Sequence, residues 1–227
     1  MTIKDVLKNK IGEINPFAIH RRKKMKESLK KESITFLTPN CIGGILFHDL
    51  GLKFMSPTVN LMMSQTDFLK FVKNLDAYLN GKFTYFKHQE YECPCAYLVA
   101  EGLPRITVHF THYKTREEAE NKWNSRKLRI DKNNIFIFIE ERDGITAEEL
   151  RSLSSLKVRG IVAFTYNEYP DIPYAVYLEE YHKEGEVGNI LKRNYFDDSR
   201  EYEKYFDFVK WFNEADGGNY CVSPFVR

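Results

Sequence analysis

A chain of 227 residues with 43% hydrophobic and 29% charged residues is long and apolar enough to fold around a sizeable core. The net charge of +2 gives no bulk electrostatic pull toward nucleic acid, which is disfavoured as a partner. No apolar run reaches the roughly 18 residues of a membrane span, the N-terminus has charges from Lys4 onward in place of a signal peptide's apolar core, and four cysteines suit reduced thiols in the cytoplasm.

Asn15-Pro16 predicts a helix start, with Asn as cap and Pro at the first helical position. The helix that follows carries Arg21, Arg22, Lys23, Lys24, Lys26, Lys30 and Lys31. Residues 1–32 thus form a basic helical segment of a single α/β domain, 1–227. It reads either as a solvated surface helix or as a peripheral contact with an anionic membrane.

The stretch Ser33 to Gly44 is the most informative. Its apolar run Ile34 to Leu37 stops at Thr38-Pro39, Asn40-Cys41 follows, and Gly43-Gly44 opens a helix from Ile45 to Leu50. In a parallel α/β sheet, ligands and catalytic groups gather at such a carboxyl end. Cys41 is expected there with a lowered pKa, and the neighbouring amides form an oxyanion hole. The competing expectation is a small buried thiol that only packs.

Leu52 to Met63 reads as extended chain, with Ser56, Thr58 and Asn60 serving either a ligand or ordinary turns. Ser64 to Asn80 predicts a helix whose face is Phe68, Phe71, Val72, Leu75 and Leu79, with Ser64 and Asp67 as its capping pair. Phe83 to Phe86 and Ala96 to Ala100 predict a hairpin around Cys93-Pro94-Cys95, a spacing poor for structural zinc.

In Arg105 to Tyr113, Ile106, Val108 and Phe110 alternate as a strand, with His109 on its other face and His112 in the loop at its end. Thr115 and Glu118 cap the next helix, where Lys122, Arg126 and Arg129 form either a solvated stripe or an anion site. Asn134 to Glu140 is a buried strand ending at Asp143-Gly144, where Asp143 makes a turn or orients a histidine. Gly160 to Thr165 is a further core strand, Tyr174 to Leu178 an edge strand, and Asp197 to Asn213 a terminal helix.

Apolar strands near 34, 106, 135 and 161, most followed by helices, predict a three-layer α/β/α sandwich with a largely parallel sheet. Asn40, Cys41, His109, His112, Asp143, Asn167 and Glu168 would share its carboxyl rim. Cysteine, histidine and an acid are the inventory of nucleophilic catalysis. No Walker loop, G-x-G-x-x-G, G-x-S-x-G or H-E-x-x-H is present, and no metal site is expected.

Asn40-Cys41-Ile42-Gly43-Gly44, Leu50-Gly51-Leu52, Ser56-Pro57-Thr58-Val59, His109-Phe110-Thr111-His112-Tyr113, Lys122-Trp123 and Arg142-Asp143-Gly144 follow in an order that resembles a bacterial exopolysaccharide biosynthesis protein family. That family is a domain of unknown function found among capsule and surface-polysaccharide genes. It usually has Asn and Trp where this chain has Pro39 and Ile42, so neither side chain is expected to be essential. Asn40-Cys41 alone is similar to a Gly-Asn-Cys-Gln stretch of a capsule acetyltransferase family.

The resemblance implies a pathway, exopolysaccharide or capsule biosynthesis, and no fixed reaction; with the polar groups at successive strand ends it leads to the expectation of a cytoplasmic transferase, with acyl transfer to a sugar precursor favoured. Cys41 would carry the acyl group, His109 or His112 would act as base, and Asp143 would orient. Asn40, Gly43, Gly44, Lys122 and Arg126 would hold a coenzyme A thioester or a nucleotide-sugar. The alternatives are a glycosyl- or sugar-phosphate transferase and a non-catalytic partner of membrane-bound assembly enzymes.

Overall fold

The computed structural model describes residues 15–31, 33–218 and 220–227, so the expectation about a signal peptide lies outside the described residues. In chain order its helices and strands are α1 (Pro16–Ser28), β1 (Thr35–Leu37), α2 (Ile42–Leu50), α3 (Gln65–Lys73), α4 (Leu75–Leu79), β2 (Lys82–Phe86), β3 (Cys95–Val99), β4 (Ile106–His109), α5 (Arg116–Lys127), β5 (Ile135–Glu140), α6 (Ala147–Arg151), β6 (Gly160–Thr165), β7 (Ala175–Tyr177) and α7 (Phe208–Glu214). Short 3-10 turns join several of them.

The strands form a mixed α/β fold with a parallel four-stranded sheet, β1-β5-β6-β7, and a separate antiparallel sheet, β2-β3-β4. Every position of β5 and β6 is buried, so helices and loops cover both faces of the parallel sheet. β4 corrects one expectation. It pairs antiparallel with β3, because residues 100–105 are too few for the dozen or so that a parallel crossover needs.

One face of the parallel sheet is aromatic. Phe36 of β1 stacks on Phe47 of α2 and meets Phe212 of α7 at 5.2 Å between ring centroids. Phe136 of β5 meets Trp211 at 4.8 Å. Gly160 at the start of β6 leaves room for that contact, since a Cβ there would sit 2.7 Å from Trp211 and 2.9 Å from Phe136. Gly160→Ala is therefore expected to lower stability by about 1–3 kcal/mol through overpacking, read from its urea midpoint. An unchanged midpoint would mean that Trp211 moves aside freely.

Caps set the helix ends. Asn15, Ser64 and Thr115 each accept a first-turn amide, and Thr146 with Glu149 closes a capping box. The helix expected over Ser64 to Asn80 breaks at Asn74, whose side-chain amide bonds back to Lys70 O at 3.2 Å and competes with the helix ladder. The expected terminal helix is likewise shorter. Its first part is a 3-10 turn, Glu201–Lys204, and Asp207 starts α7 by accepting Lys210 N.

The basic face of α1 is partly spent inside the protein. Arg21 pairs with Asp49 and with Glu203 (2.9 Å), and Arg22 with Asp198 and with Asp49 (3.0 Å). Charges this buried are tolerated only when paired, so these arginines clamp α1 to the body and are not free for an anionic surface. Among the described residues, no helix is long and apolar enough to cross a membrane.

Candidate functional site

The carboxyl end of β1 is held in place by side chains. Thr38 N donates to Thr58 Oγ1 at 3.2 Å, Thr38 Oγ1 to Asn40 O at 2.8 Å, and Met63 N to Pro39 O at 2.9 Å. Asn40 Oδ1 then accepts Ile42 N at 3.0 Å, capping α2 from one residue before Cys41. Ser56 and Thr58 are fully buried and bond to each other at 2.9 Å, which is turn duty.

A second turn brings His112 to that end. Tyr113 N donates to Phe110 O at 3.0 Å, and both rings are buried, which pushes Thr111 and His112 out at the tip. Tyr113 OH donates to Val59 O at 3.2 Å and accepts Arg126 Nη1 at 2.5 Å. The result is direct contact between Cys41 Sγ and His112 Nε2 at 3.2 Å. His112 is exposed and Cys41 half-buried, so the pair is open to solvent on one side.

Burial pushes the Cys41 thiol above its ordinary value, and a hydrogen bond from Thr111 only partly opposes this. The direction corrects the expectation of a lowered pKa. Desolvation penalises the thiolate here, so the resting sulfur is a thiol. A thiol of this kind becomes a nucleophile by giving its proton to the base as it attacks.

The carboxyl end of β5 supplies a group that sequence reasoning passed over. Glu140 is fully buried, accepts from Asn40 Nδ2 through Oε2, and receives Gln65 Nε2 on the same oxygen at 3.4 Å. Gln65 Oε1 accepts Glu140 N at 3.0 Å, so the two side chains are locked together. Burial, with Asp143 nearby, raises the Glu140 carboxyl to about 8 against the opposing pull of Arg142. The signal was an acid closing the otherwise apolar run Ile135 to Ile139, an outlier in a strand buried at every position.

The other expected site residues divide. His109 is turned to the second thiol, with Nδ1 3.4 Å from Cys95 Sγ and its ring against His88 and Tyr91. Strict alternation along β4 sends it to that side, away from the turn that carries His112. Asp143 accepts Gln65 N at 3.3 Å and lies 3.6 Å from Arg142, and neither contact involves an imidazole. Its backbone is left-handed (φ 55), as its turn role with Gly144 requires.

Arg126 corrects the expected anion site. It is buried, donates to Val59 O at 2.8 Å and to Tyr113 OH, and lies over the Phe54 ring. Arg129 donates to Phe54 O at 3.2 Å, while Lys122 stays exposed. These arginines tie the segment after α2 to α5 and support the His112 turn. Gly43 and Gly44 are buried, and an added Cβ on them would lie 3.0 Å from Thr38 Oγ1 and from Asn60 Oδ1 respectively. The close approach they permit is to protein, and Ile42 N, the first amide of α2, is taken by Asn40 Oδ1.

Between β5 and β6, Glu141 accepts Tyr166 N at 2.9 Å, Asn167 N at 3.1 Å and Asn167 Nδ2 at 3.0 Å. That carboxylate is saturated and holds the neighbouring strand end. Among the described residues, no three His, Cys, Asp or Glu side chains are grouped so as to hold a metal ion.

A family model described as a domain of unknown function, DUF1919, matches residues 14–213. The chain belongs to this family. An uncharacterized protein of Haemophilus influenzae is 33% identical over 209 residues, which cover 92% of this chain and 97% of that protein. Neither the family's description nor that of the Haemophilus influenzae protein names a reaction or substrate.

Proposed function

We propose that the protein is an acyltransferase that carries an acyl group on Cys41 and passes it to a hydroxyl of a sugar precursor of surface polysaccharide. The observation that carries the proposal is the 3.2 Å contact of Cys41 Sγ with His112 Nε2 in front of the first turn of α2. The sugar acceptor rests only on the family resemblance of the Asn40 to Gly44 and His109 to Tyr113 motifs.

In this mechanism Cys41 Sγ attacks the carbonyl carbon of a donor thioester while its proton moves to His112 Nε2. The tetrahedral oxyanion lies near the Gly43 and Gly44 amides in the first turn of α2, since Ile42 N is already held by Asn40 Oδ1. Collapse breaks the donor C–S bond, and the departing thiolate takes the proton from the imidazolium. A sugar hydroxyl then attacks the Cys41 thioester, gives its proton to His112, and Cys41 leaves as a thiolate that recovers that proton. Asn40 positions the start of α2, and Glu140 holds Asn40.

The test is a single-turnover incubation with acetyl-coenzyme A followed by intact-mass measurement. A mass gain of one acetyl group in the wild type and none in Cys41→Ala is expected. Thermal-shift measurements with a nucleotide-sugar run alongside. Stabilisation by the nucleotide-sugar alone, with no acylation, would replace acyl transfer by glycosyl transfer.

A further inference from the structure

Ser56 and Thr58 are spent on each other, which leaves Asn60 as the polar residue of that segment with an open side chain. Residues 56–61 are buried except Asn60, which is half-buried. Its backbone carbonyl accepts Thr111 Oγ1 at 3.5 Å, and among the described residues its side-chain amide makes no hydrogen bond. Its backbone is left-handed (φ 67). Glycine would meet that angle at no steric cost, so the backbone alone does not call for an amide side chain there.

The segment around Asn60 lies between the two halves of the Cys41–His112 contact. On one side Met63 N donates to Pro39 O at 2.9 Å and Thr38 N to Thr58 Oγ1 at 3.2 Å, which ties it to the strand end before Cys41. On the other, Met62 exchanges two backbone bonds with His109, at 2.8 and 2.9 Å, and Tyr113 OH donates to Val59 O at 3.2 Å.

Asn60 itself faces the first turn of α2. A Cβ added to Gly44 would lie 3.0 Å from Asn60 Oδ1 and 3.3 Å from Val59 Cγ1, so the glycine lets the amide come this close. The carboxamide carries Nδ2 beside Oδ1 and its terminal torsion is soft, so the donor can turn to an oxygen held at that turn. Asn40 Oδ1 takes Ile42 N, and Ile45 N donates to Cys41 O at 3.0 Å. The backbone there offers a developing charge only Gly43 N and Gly44 N.

We propose that Asn60 completes an oxyanion hole, its Nδ2 donating to the carbonyl oxygen of the acyl group while that carbon is tetrahedral, together with the Gly43 and Gly44 amides. This role rests on the acyl-transfer reading and narrows it. Three neutral donors stabilise negative charge on a carbonyl oxygen. Glycosyl transfer builds positive charge on the sugar ring instead, which such donors do nothing to stabilise.

The test compares two reactions of Cys41 in the full-length protein: acetylation by acetyl-coenzyme A in single turnover, and alkylation by iodoacetamide. Alkylation displaces iodide at a saturated carbon and forms no oxyanion, so it reads Cys41 and His112 alone. Asn60→Gly fits the left-handed backbone, and Asn60→Asp keeps the side-chain shape while exchanging the donor for an acceptor. Both variants are expected to acetylate Cys41 about 10²–10³-fold more slowly than wild type. Both should alkylate it at close to the wild-type rate. Acetylation at the wild-type rate in either variant overturns the role of Asn60 and leaves acyl transfer standing. An equal fall in acetylation and alkylation also overturns it, since Asn60 would then only place Cys41 or His112. No acetylation of the wild type removes the acyl-transfer reading itself, and the role of Asn60 with it.

Discussion

His112→Ala is expected to slow alkylation of Cys41 by iodoacetamide at pH 7 by about 10²–10⁴-fold, the usual worth of a positioned base. The wild-type thiol, 3.2 Å from the imidazole, can shed its proton to Nε2 as the new bond forms. Without His112 only the thiolate reacts, and burial makes that form scarce. The variant's rate should therefore climb tenfold per pH unit until the raised thiol titrates, whereas the wild-type rate rises less steeply. Peptide mass spectrometry separates Cys41 from the other free cysteines, Cys93, Cys95 and Cys221. Equal rates in the two proteins would remove His112 as the base, and the probe needs no knowledge of the substrate.

Glu140 governs the second large effect, on stability. Its carboxyl is raised from an ordinary value of 4.5 to about 8, chiefly by burial. Between those values the folded protein holds a proton that the unfolded chain has released, so stability falls as pH rises through this window. Above about 8 both states are ionised and the loss is complete. At about 1.4 kcal/mol per unit, the loss approaches about 5 kcal/mol as an upper bound.

Glu140→Gln mimics the protonated acid, since its amide oxygen can still accept from Asn40 and Gln65. The variant should match wild type near pH 5 and exceed it by several kcal/mol near pH 9, measured as chemical denaturation across pH. Parallel profiles for the two proteins would refute a protonated Glu140. Acylation of Cys41 in the same variant separates two roles. Retained acylation means Glu140 positions Asn40, and lost acylation means its proton takes part.

Much of the local architecture was legible along the chain because its causes are local. Asn15-Pro16, Ser64, Thr115 and the Thr146–Glu149 pair start helices through bonds to residues two or three positions away. The hairpin β2-β3 around Cys93-Pro94-Cys95 followed from two short alternating runs and a turn between them. The breaks at Asn74 and Asp207 were missed because an Asn or Asp inside a helical pattern can face solvent or seize a backbone group, and the pattern looks the same in both cases.

Charge was read less well, for a related reason. Arg21, Arg22 and Arg126 have the spacing of exposed stripes, yet each reaches a partner far along the chain: Asp49, Asp198 and the carbonyl of Val59. A long flexible side chain shows its direction only when its partner is in place. The same limit hid Glu140, whose donors Asn40 and Gln65 come from other segments.

Ser33 to Gly44 shows where the boundary falls. Its strand, its Asn-Cys turn and its helix were written in residue types, as was the expectation that such a turn ends at a sheet's carboxyl edge. Which histidine meets Cys41 was not. β4 pairs antiparallel and gives His109 to Cys95, and the Phe110–Tyr113 turn, anchored by Arg126, swings His112 onto the sulfur. Short-range bonding makes the first kind of information readable, while the second depends on the register of strands and the packing of residues dozens of positions apart.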